Sequence, residues 1–301
     1  MKFLKPSATP YFFVLPAIIF YGAFTIYPLV AVFFYSFFEW QGVAARGFIG
    51  MDNYFTIFQT GEVGSQIIRA FTHNLYFFLG NMIIQMTIGL LLAVLLHNKL
   101  KGKRFFQTSA SLPFLINPLA IGYIWTLLLN PLSGPIAAFL KMIGRDEWIR
   151  PWIADPSYVQ LLVIFINAWQ WVGFPMLVFG AAIAGIPGDI VSAAKVDGAS
   201  RLQTFRFLTL PLLGPAIGTL TLLTFIGSFN AFNLQYAIGG INGAPAGETD
   251  VLSLVFYRLA FGSNLNSIGM SSSLAVLIFL FVFSVAILIR KLISVAENRV
   301  S

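Results

Sequence analysis

The chain has 301 residues, of which 58% are hydrophobic and only 10% are charged. About a quarter of the residues of a soluble domain are usually charged, so this composition excludes a soluble globular protein and indicates an integral membrane protein. The net charge of +7 at pH 7 is spread over the ends of apolar stretches, which favours contact with anionic lipid headgroups and disfavours nucleic acid as a partner.

Six stretches without Lys, Arg, Asp or Glu predict six membrane-spanning helices. A helix needs about 20 apolar residues to cross the hydrocarbon core, and every stretch exceeds that length. Some spans are therefore expected to tilt, kink or emerge at their ends. The predicted spans are residues 11–38, 70–97, 105–129, 157–187, 208–238 and 265–289, in a single all-α membrane domain covering residues 1–301.

Basic residues cluster on one side of these spans and predict their orientation. The amino terminus, the second and fourth connections and the carboxyl tail hold 12 of the 18 lysines and arginines. Because basic residues near span ends resist translocation, these four segments are expected to face the cytoplasm. The sequence thus predicts a multi-pass protein of the plasma or inner membrane with both termini cytoplasmic.

Groups that carry catalytic or redox chemistry are scarce. There is no cysteine, and the two histidines, His73 and His97, are predicted to lie about 36 Å apart along one helix, too far to share a metal ion. No predicted span contains a charged residue, and no GxxxxGK(S/T) phosphate loop occurs. We therefore predict that the chain is not an enzyme and binds no cofactor or metal. If ATP drives its activity, another chain must bind the nucleotide.

Neutral polar side chains cluster beside aromatic ones in two predicted spans. The fourth span carries Asn167, Trp169, Gln170, Trp171 and Gly173, and the fifth carries Thr224, Ser228, Asn230, Asn233 and Gln235. Amides and hydroxyls can bond sugar hydroxyls while aromatic faces stack on sugar C–H surfaces, so the cluster is a candidate pathway for a neutral polyhydroxylated solute. The alternative is that these groups only join neighbouring helices. Both interpretations are also open for Asn81 and Gln85 of the second span.

The connection between the fourth and fifth spans predicts a helical hairpin on the membrane surface. Asp189 is a candidate N-cap for a short helix over Val191–Val196, and Gly198 is expected to reverse the chain. A second short helix is predicted over Ser200–Leu208, after which Pro211 is expected to open the fifth span. The small side chains of this hairpin suit insertion into a cleft of a partner protein.

This connection resembles the signature of binding-protein-dependent ABC transporter permeases, which reads Glu-Ala-Ala, three residues, Gly, nine residues, then Ile-x-Leu-Pro. The matching residues are Ala193, Ala194, Gly198, Leu210 and Pro211, with Leu208 as a conservative match. The Asp197-Gly198-Ala199 triplet matches the sugar-transporting branch. Phe48–Tyr54, Trp171 with Gly173-Phe174-Pro175, Ile186-Pro187 and the Ser271–Leu274 region are similar to carbohydrate permeases of the MalF/UgpA/SugA type.

The resemblance implies a MalF-like fold and a role as one of two permease subunits, usually different, in an importer of sugars or oligosaccharides. It also implies two cytoplasmic ATPase subunits that bind ATP and Mg²⁺, and an extracytoplasmic binding protein that delivers the sugar. The loop of residues 188–210 would dock on an ATPase through Ser192, Ala193, Ala194, Asp197, Gly198, Arg201 and Phe205. The sugar would contact Trp169, Gln170, Trp171, Gly173, Thr224, Ser228, Asn230 and Asn233.

Two points qualify what this resemblance implies. Ser192 stands where the family has a Glu that pairs with a basic residue of the ATPase. Exposed ion pairs contribute about 0–1 kcal/mol, so docking is expected to survive, with the partner permease retaining its Glu. A permease for glycerol phosphodiesters or another small polar solute is the alternative. The predicted pathway lacks the basic group that an anionic cargo needs, although Arg258 or a partner residue could supply it.

Overall fold

The computed structural model describes residues 9–59, 61–97, 101–262 and 268–297, and the described part is mostly helical. Its α-helices in chain order are α1 (Thr9–Tyr21), α2 (Tyr27–Tyr35), α3 (Asp52–Phe58), α4 (Glu62–His97), α5 (Lys103–Ser111), α6 (Pro118–Leu128), α7 (Pro135–Met142), α8 (Pro156–Trp171), α9 (Gly173–Ala184), α10 (Gly188–Val196), α11 (Arg201–Thr204), α12 (Leu210–Leu212), α13 (Gly214–Phe229), α14 (Asn233–Gly239), α15 (Leu252–Phe261) and α16 (Ile268–Glu297). Short π-helical turns cover Gly22–Ile26 and Phe205–Thr209, and 3₁₀ turns cover Leu112–Leu115 and Asp146–Trp148.

Within the described residues, three helices are individually long and apolar enough to cross a membrane: Phe13–Tyr35, Glu62–His97 and Ile268–Ser294. Three bent pairs bring the count to six if each pair is one span: Lys103–Leu115 with Pro118–Leu128, Pro156–Trp171 with Gly173–Ala184, and Arg201–Leu212 with Gly214–Phe229. These segments overlap the six predicted spans. Residues 265–267 of the sixth prediction lie outside the described residues, as do Lys2, Lys5, Lys99 and Arg299 of the orientation argument.

The bends within the third, fourth and fifth predicted spans are 99°, 45° and 60°. In the third, Asn117 accepts a hydrogen bond from the Leu119 N–H and Pro118 occupies the first helical position, so α6 begins as a new helix. In the fifth, Pro215 occupies the second position of α13, whose N-cap, Leu213, makes no side-chain hydrogen bond. Proline lacks the N–H that would continue the preceding helix, which explains both breaks.

Pro211 does not open the fifth span, contrary to the sequence prediction. It lies inside the continuous Arg201–Leu212 helix, directly after the π turn Phe205–Thr209, in which the Leu210 N–H bonds to the Phe205 carbonyl. A π turn shifts the hydrogen-bonding pattern by one residue and thereby accommodates the missing proline N–H. Pro28 follows the π turn Gly22–Ile26 in α2 in the same arrangement.

The described chain divides into two compact units, and the smaller comprises Met1–Gly64 and Leu259–Phe279. It contains an antiparallel hairpin, β1 (Phe38–Gln41) with β2 (Ala44–Phe48). The described chain remains mostly helical, and the hairpin takes only the end of the predicted first span, which extended to residue 38 while α2 ends at Tyr35. Gly42 supplies the positive φ of 60° that the tight turn needs. Asn53 fastens the segment by donating to the carbonyls of Ser36 and Phe38 at 2.8 and 3.1 Å.

The larger unit comprises Ser65–Arg258 and Leu280–Ser301. Its core has two apolar clusters. One gathers Phe77, Ile121, Val159, Val163, Ile164, Ile166, Leu234 and Ile238, and the other gathers Met86, Ala93, Phe179, Ile183, Leu213 and Leu220. Helices α6 and α14 can approach closely because Gly122 has no Cβ. A Cβ at this position would collide with the Cβ of Ala237. Helices α6, α8 and α14 thus meet in the first cluster, and helices α9 and α13 meet in the second.

Candidate functional site

A cavity of about 400 Å³ lies in the larger unit, among helices α4, α6, α8, α9, α13 and α14. Its polar lining consists of Gln85, Asn167, Thr224, Ser228, Asn230, Asn233 and Gln235, and its aromatic lining of Phe77, Trp171, Phe174 and Phe232. The described residues that line it include no Asp, Glu, Lys or Arg. Amides, hydroxyls and rings can bond hydroxyl groups and cover C–H faces, but they offer no counter-charge to an ionised ligand.

A break in the fifth predicted span shapes one wall of this cavity. Helix α13 ends at Phe229 and α14 begins at Asn233, and the three residues between them, 230–232, all line the cavity. Beyond the break, Gln235 is 2% exposed, and its Nε2 has no hydrogen-bond partner in the part of the chain that the structure describes. Irregular backbone at membrane depth is tolerated where it lines a cavity or is covered by protein. An unpaired buried amide beside such a break is a donor available to a ligand oxygen.

The structure brings five of the eight predicted substrate-binding residues together at this cavity, namely Trp171, Thr224, Ser228, Asn230 and Asn233. The other three are not among the lining residues. Trp169 is 40% exposed, with its ring 5.7 Å from that of Trp125. Gln170 is fully buried and donates to the Ile116 carbonyl at 2.8 Å. Gly173 lies where a Cβ would meet the backbone of α5, at the Ala110 carbonyl oxygen and 2.7 Å from the Ser111 Cα.

The two amides of α4 whose roles the sequence left open have different surroundings. Asn81 is 1% exposed and accepts a hydrogen bond of 2.7 Å from the Asn167 Nδ2, so it joins α4 to α8. Gln85 lines the cavity and donates to the Trp171 carbonyl at 3.4 Å. Asn81 therefore joins helices and Gln85 lines the cavity. Which amide takes which role depends on where α8 lies, and the local sequence of α4 does not specify that.

Asn74, which the sequence analysis did not single out, holds the cavity wall in place. It is fully buried, its Nδ2 donates to the Ser228 carbonyl at 2.7 Å, and its Oδ1 accepts from the Leu252 N–H at 2.9 Å. The neighbouring His73 places Nδ1 3.0 Å from the Asp250 carbonyl. One turn of α4 thus binds both the cavity-lining end of α13 and the start of α15. An uncharged polar residue on an apolar helix was the available signal in the sequence.

Replacing Asn74 by Leu is expected to destabilise the protein by about 1–3 kcal/mol for each buried backbone group left unpaired. The affected groups are the Ser228 carbonyl and the Leu252 N–H. The measurement is thermal unfolding of the purified protein in detergent. Thr72→Ala is the matched control, because the Thr72 hydroxyl bonds only within α4, to the Ile68 carbonyl, and its loss should have little effect. Equal stability of the two variants would contradict the assigned role of Asn74.

Arg258, the basic residue that could have bound an anionic cargo, is already paired with a carboxylate of this chain. Its guanidinium binds Asp250 through two bonds, at 2.9 Å to Oδ1 and 2.6 Å to Oδ2, and the Asp250 side chain is 1% exposed. It also donates to the Ile241 carbonyl at 2.8 Å. A bidentate pair with a buried carboxylate leaves this arginine poorly placed to neutralise a transported anion.

The second candidate site is the surface hairpin, formed by α10, Asp197–Ser200 and the Arg201–Leu212 helix. Gly198 has a φ of 78° and reverses the chain, as predicted. The Ala199 N–H bonds to the Ala194 carbonyl and the Gly198 N–H to the Lys195 carbonyl, which together form a complete Schellman motif. Ser200 and Gln203 then form a capping box at the start of α11. The backbone hydrogen bonds of the turn are therefore made by its own residues, and the turn has a defined shape without a partner protein.

The sequence prediction misplaced the start of this hairpin. Helix α10 begins at Gly188, after Pro187, so Asp189 lies in the first turn and is not the N-cap. Its carboxylate there still interacts favourably with the positive end of the helix dipole. The helix is three residues longer at its start than predicted, because Pro187, which follows the end of α9 at Ala184, is its N-cap.

The hairpin presents small and apolar side chains to its surroundings. Ser192 and Ala193 are exposed, and Val196, Leu202 and Phe207 are 88%, 74% and 72% exposed. A groove of about 410 Å³ runs between the two arms and is lined by Ala194, Asp197, Gly198, Ala199, Gln203, Thr204, Phe207 and Leu208. Of the other two residues predicted to couple to the ATPase, Arg201 is exposed and Phe205 is half-buried. Exposed apolar side chains on a preformed turn are typical of a docking surface.

Known proteins resemble this chain over nearly its whole length. It is 30% identical to the probable ABC transporter permease protein YurN of Bacillus subtilis, with 94% of each chain covered. It is 28% identical to the probable starch degradation products transport system permease protein AmyD of Thermoanaerobacterium thermosulfurigenes, with 94% of each covered. It is also 28% identical to the multiple sugar-binding transport system permease protein MsmF of Streptococcus mutans, with 93% of each covered.

Among solved structures, a chain of a bacterial ABC transporter involved in the import of the acidic polysaccharide alginate matches with a TM-score of 0.80 at 23% identity, covering 95% of each chain. This likeness confirms the predicted permease fold. Residues 85–294 also match the model of a protein family described as "Binding-protein-dependent transport system inner membrane component". Its description is of a transport component of the inner membrane, not of an enzyme. The chain therefore belongs to the family of inner membrane components of binding-protein-dependent transport systems.

Proposed function

We propose that this chain is the permease subunit of an ATP-driven importer of sugars or oligosaccharides and that its cavity forms part of the translocation pathway. The observation that carries the proposal is the uncharged cavity of amides, hydroxyls and aromatic rings at the break in the fifth span. Relatives named for starch degradation products and for multiple sugars support the same cargo class. The bidentate pairing of Arg258 with Asp250 disfavours the glycerol phosphodiester alternative.

Within this pathway, the proposed sugar contacts are the lining residues. Trp171 would stack on a C–H face of the sugar, and Thr224, Ser228, Asn230 and Asn233 would bond its hydroxyls. We add Gln235 to this set, since its buried Nε2 has no hydrogen-bond partner among the described residues. Trp169, Gln170 and Gly173 would not contact the sugar. They would instead hold α8 and α9 against α5, α6 and the Ile116 carbonyl.

The surface hairpin is the proposed contact with the ATPase. In this arrangement the hairpin and both termini face the cytoplasm, where the family resemblance places two ATPase subunits with their ATP and Mg²⁺. A second permease would complete the pathway, and a periplasmic binding protein would deliver the sugar, as in the alginate transporter structure that contains such a protein. The turn is capped by its own residues, which supports this role. A preorganised element loses little conformational entropy when it binds a partner.

Ser228→Ala and Asn230→Ala test the cavity as a binding site. Each removes one proposed hydrogen bond to the sugar, worth about 0.5–1.5 kcal/mol, so uptake at low substrate concentration should fall about 2- to 10-fold. Thr221→Ala is the matched control, since its hydroxyl lies on the same helix but bonds to the Ile217 carbonyl and lies outside the cavity. The measurement is uptake by proteoliposomes, with assembly checked by gel filtration. Wild-type uptake in both cavity variants would assign these residues to helix packing.

Ser192→Glu tests the departure from the family signature. Ser192 is exposed on α10, so the new carboxylate remains solvated and can pair with the basic residue of the ATPase. Because such a pair contributes about 0–1 kcal/mol, transport should be unchanged or rise by a few-fold at most. Val196→Glu places the same charge one turn later on the same face and should weaken docking, because it replaces an exposed apolar contact. Loss of transport in Ser192→Glu would contradict the proposed register of docking.

A further inference from the structure

Helix α7, in the connection between the third and fourth candidate spans, has an apolar face that turns away from the protein. Ala137 is 5% exposed and marks the face that packs on the rest of the larger unit. With 3.6 residues per turn, Pro135, Phe139 and Met142 lie on the opposite side. Phe139 is 56% exposed and Met142 is 76% exposed. The usual arrangement of a surface helix, with its polar side outward, is thus reversed.

The apolar surface continues on both sides of α7. Leu132 before the helix is 89% exposed, and Ile143 and Trp148 after it are 48% and 55% exposed. Exposed charged residues of both signs border this surface. Lys141 follows Ala137 by one turn of α7 and lies on the same side of the helix. The Arg145 guanidinium pairs with the Glu147 carboxylate at 3.4 Å and sits 5.5 Å from the ring centroid of Trp148.

We propose that this segment, residues 132–148, lies in the interfacial layer of the bilayer on the face opposite the surface hairpin. Only residues 129–134 separate α6 from α7, so the segment begins where the third span leaves the hydrocarbon core. Leu127 near the end of α6 and Leu132 before α7 are 69% and 89% exposed, so exposed apolar side chains continue from the third span into the segment. Exposed aliphatic side chains together with a Trp are typical of segments that lie in the headgroup region.

The assignment requires only that the bent pairs on both sides of the segment cross the membrane, and it holds whatever the cargo is. Phe139 and Met142 would reach the upper acyl chains, while Lys141 and the Arg145–Glu147 pair would lie at the level of the headgroups. A segment anchored in this way would hold the outer ends of α6 and α8 at a constant depth. Both helices also line the cavity, through Pro118, Asn167 and Trp171.

The absence of cysteine from the chain allows a direct test by single-cysteine spin labelling. The variants Phe139→Cys and Met142→Cys carry the label on the outward face, and Lys141→Cys carries it on the side that also holds Ala137. Ile83→Cys, exposed on the apolar α4, is the lipid-facing reference, and Lys101→Cys, exposed in the connection between α4 and α5, is the aqueous reference. Each labelled chain is coexpressed with its partner subunits, and the full complex is placed in nanodiscs without binding protein.

Relaxation by oxygen and by a water-soluble nickel chelate then reports the depth of each label. We expect labels at positions 139 and 142 to be relaxed at least about fivefold more by oxygen than by the nickel chelate, relative to the aqueous reference, with position 141 shallower. Strong relaxation by the nickel chelate at 139 and 142 would overturn the proposal and leave the surface free for a binding protein. Protection from both reagents would also overturn it, because it would indicate burial against another protein chain.

Discussion

Ala194→Asp is expected to abolish both the association of this chain with its ATPase and substrate-stimulated ATP hydrolysis. Ala194 lines the groove of the surface hairpin, beside Gly198 and Phe207. In the free chain the new carboxylate would remain in contact with water, so the hairpin should still fold. Once the groove is enclosed by a partner, the unpaired charge would lose its hydration at a cost of several kcal/mol, which corresponds to a loss of affinity of more than about a hundredfold.

Copurification of the ATPase and its hydrolysis rate in the reconstituted complex measure this effect. Ala194→Ser is the matched control, because it adds one polar atom without a charge and should retain most of the activity. Gel filtration of the pair of permeases should show the same elution for the Asp variant and the wild type, which separates docking from misfolding. Wild-type association and coupling in Ala194→Asp would remove the hairpin from the proposed interface.

Gly173→Val is expected to destabilise the protein severely and to lower the yield of assembled complex. A Cβ at this position would collide with the Ala110 carbonyl oxygen and lie 2.7 Å from the Ser111 Cα. Both obstacles are backbone atoms of α5, so side-chain repacking cannot relieve the clash and the two helices must separate. Overpacking of this kind costs about 1–3 kcal/mol or more, and the branched Val adds steric demand beyond that of Ala.

The same helix provides the control for this prediction. Gly180 also lies in α9, but a Cβ there would meet no atom within 4 Å. Gly180→Ala should therefore be neutral or should stabilise the helix by up to about 1 kcal/mol, because Ala has the higher helix propensity. Thermal unfolding of both variants gives the comparison. A Gly173→Val protein as stable as the Gly180→Ala protein would contradict the close approach of α5 and α9.

The sequence predicted the turn of the surface hairpin, although not its start at Gly188, because the signals that build the turn are local. Gly198 reverses the chain, and the capping box joins Ser200 to Gln203 only three residues later. The positions of the long apolar helices were also predictable, since they follow from long uncharged stretches. The break at Asn117-Pro118 carried a local signal of the same kind, an N-cap followed by proline, but the continuous apolar stretch from 105 to 129 concealed it.

The composition of the cavity could be predicted only in part, because it depends on which helices meet. Asn81 and Gln85 are one turn apart, yet one bonds to Asn167 and the other lines the cavity. Gln170 and Trp171 are adjacent in sequence, yet only Trp171 lines the cavity, since a helix directs neighbouring side chains about 100° apart. Such distinctions depend on the bend between α8 and α9 and on the break between α13 and α14, which the residue pattern alone does not determine.

Sugar uptake by proteoliposomes is the measurement that tests the account most directly. The complete complex is reconstituted with its binding protein, and a labelled oligosaccharide is presented on the side opposite the surface hairpin. We predict uptake only when ATP is supplied on the hairpin side, and none in the complex that carries Ala194→Asp. Uptake by this chain in the absence of any ATPase, or uptake driven by ATP on the other side, would contradict the account.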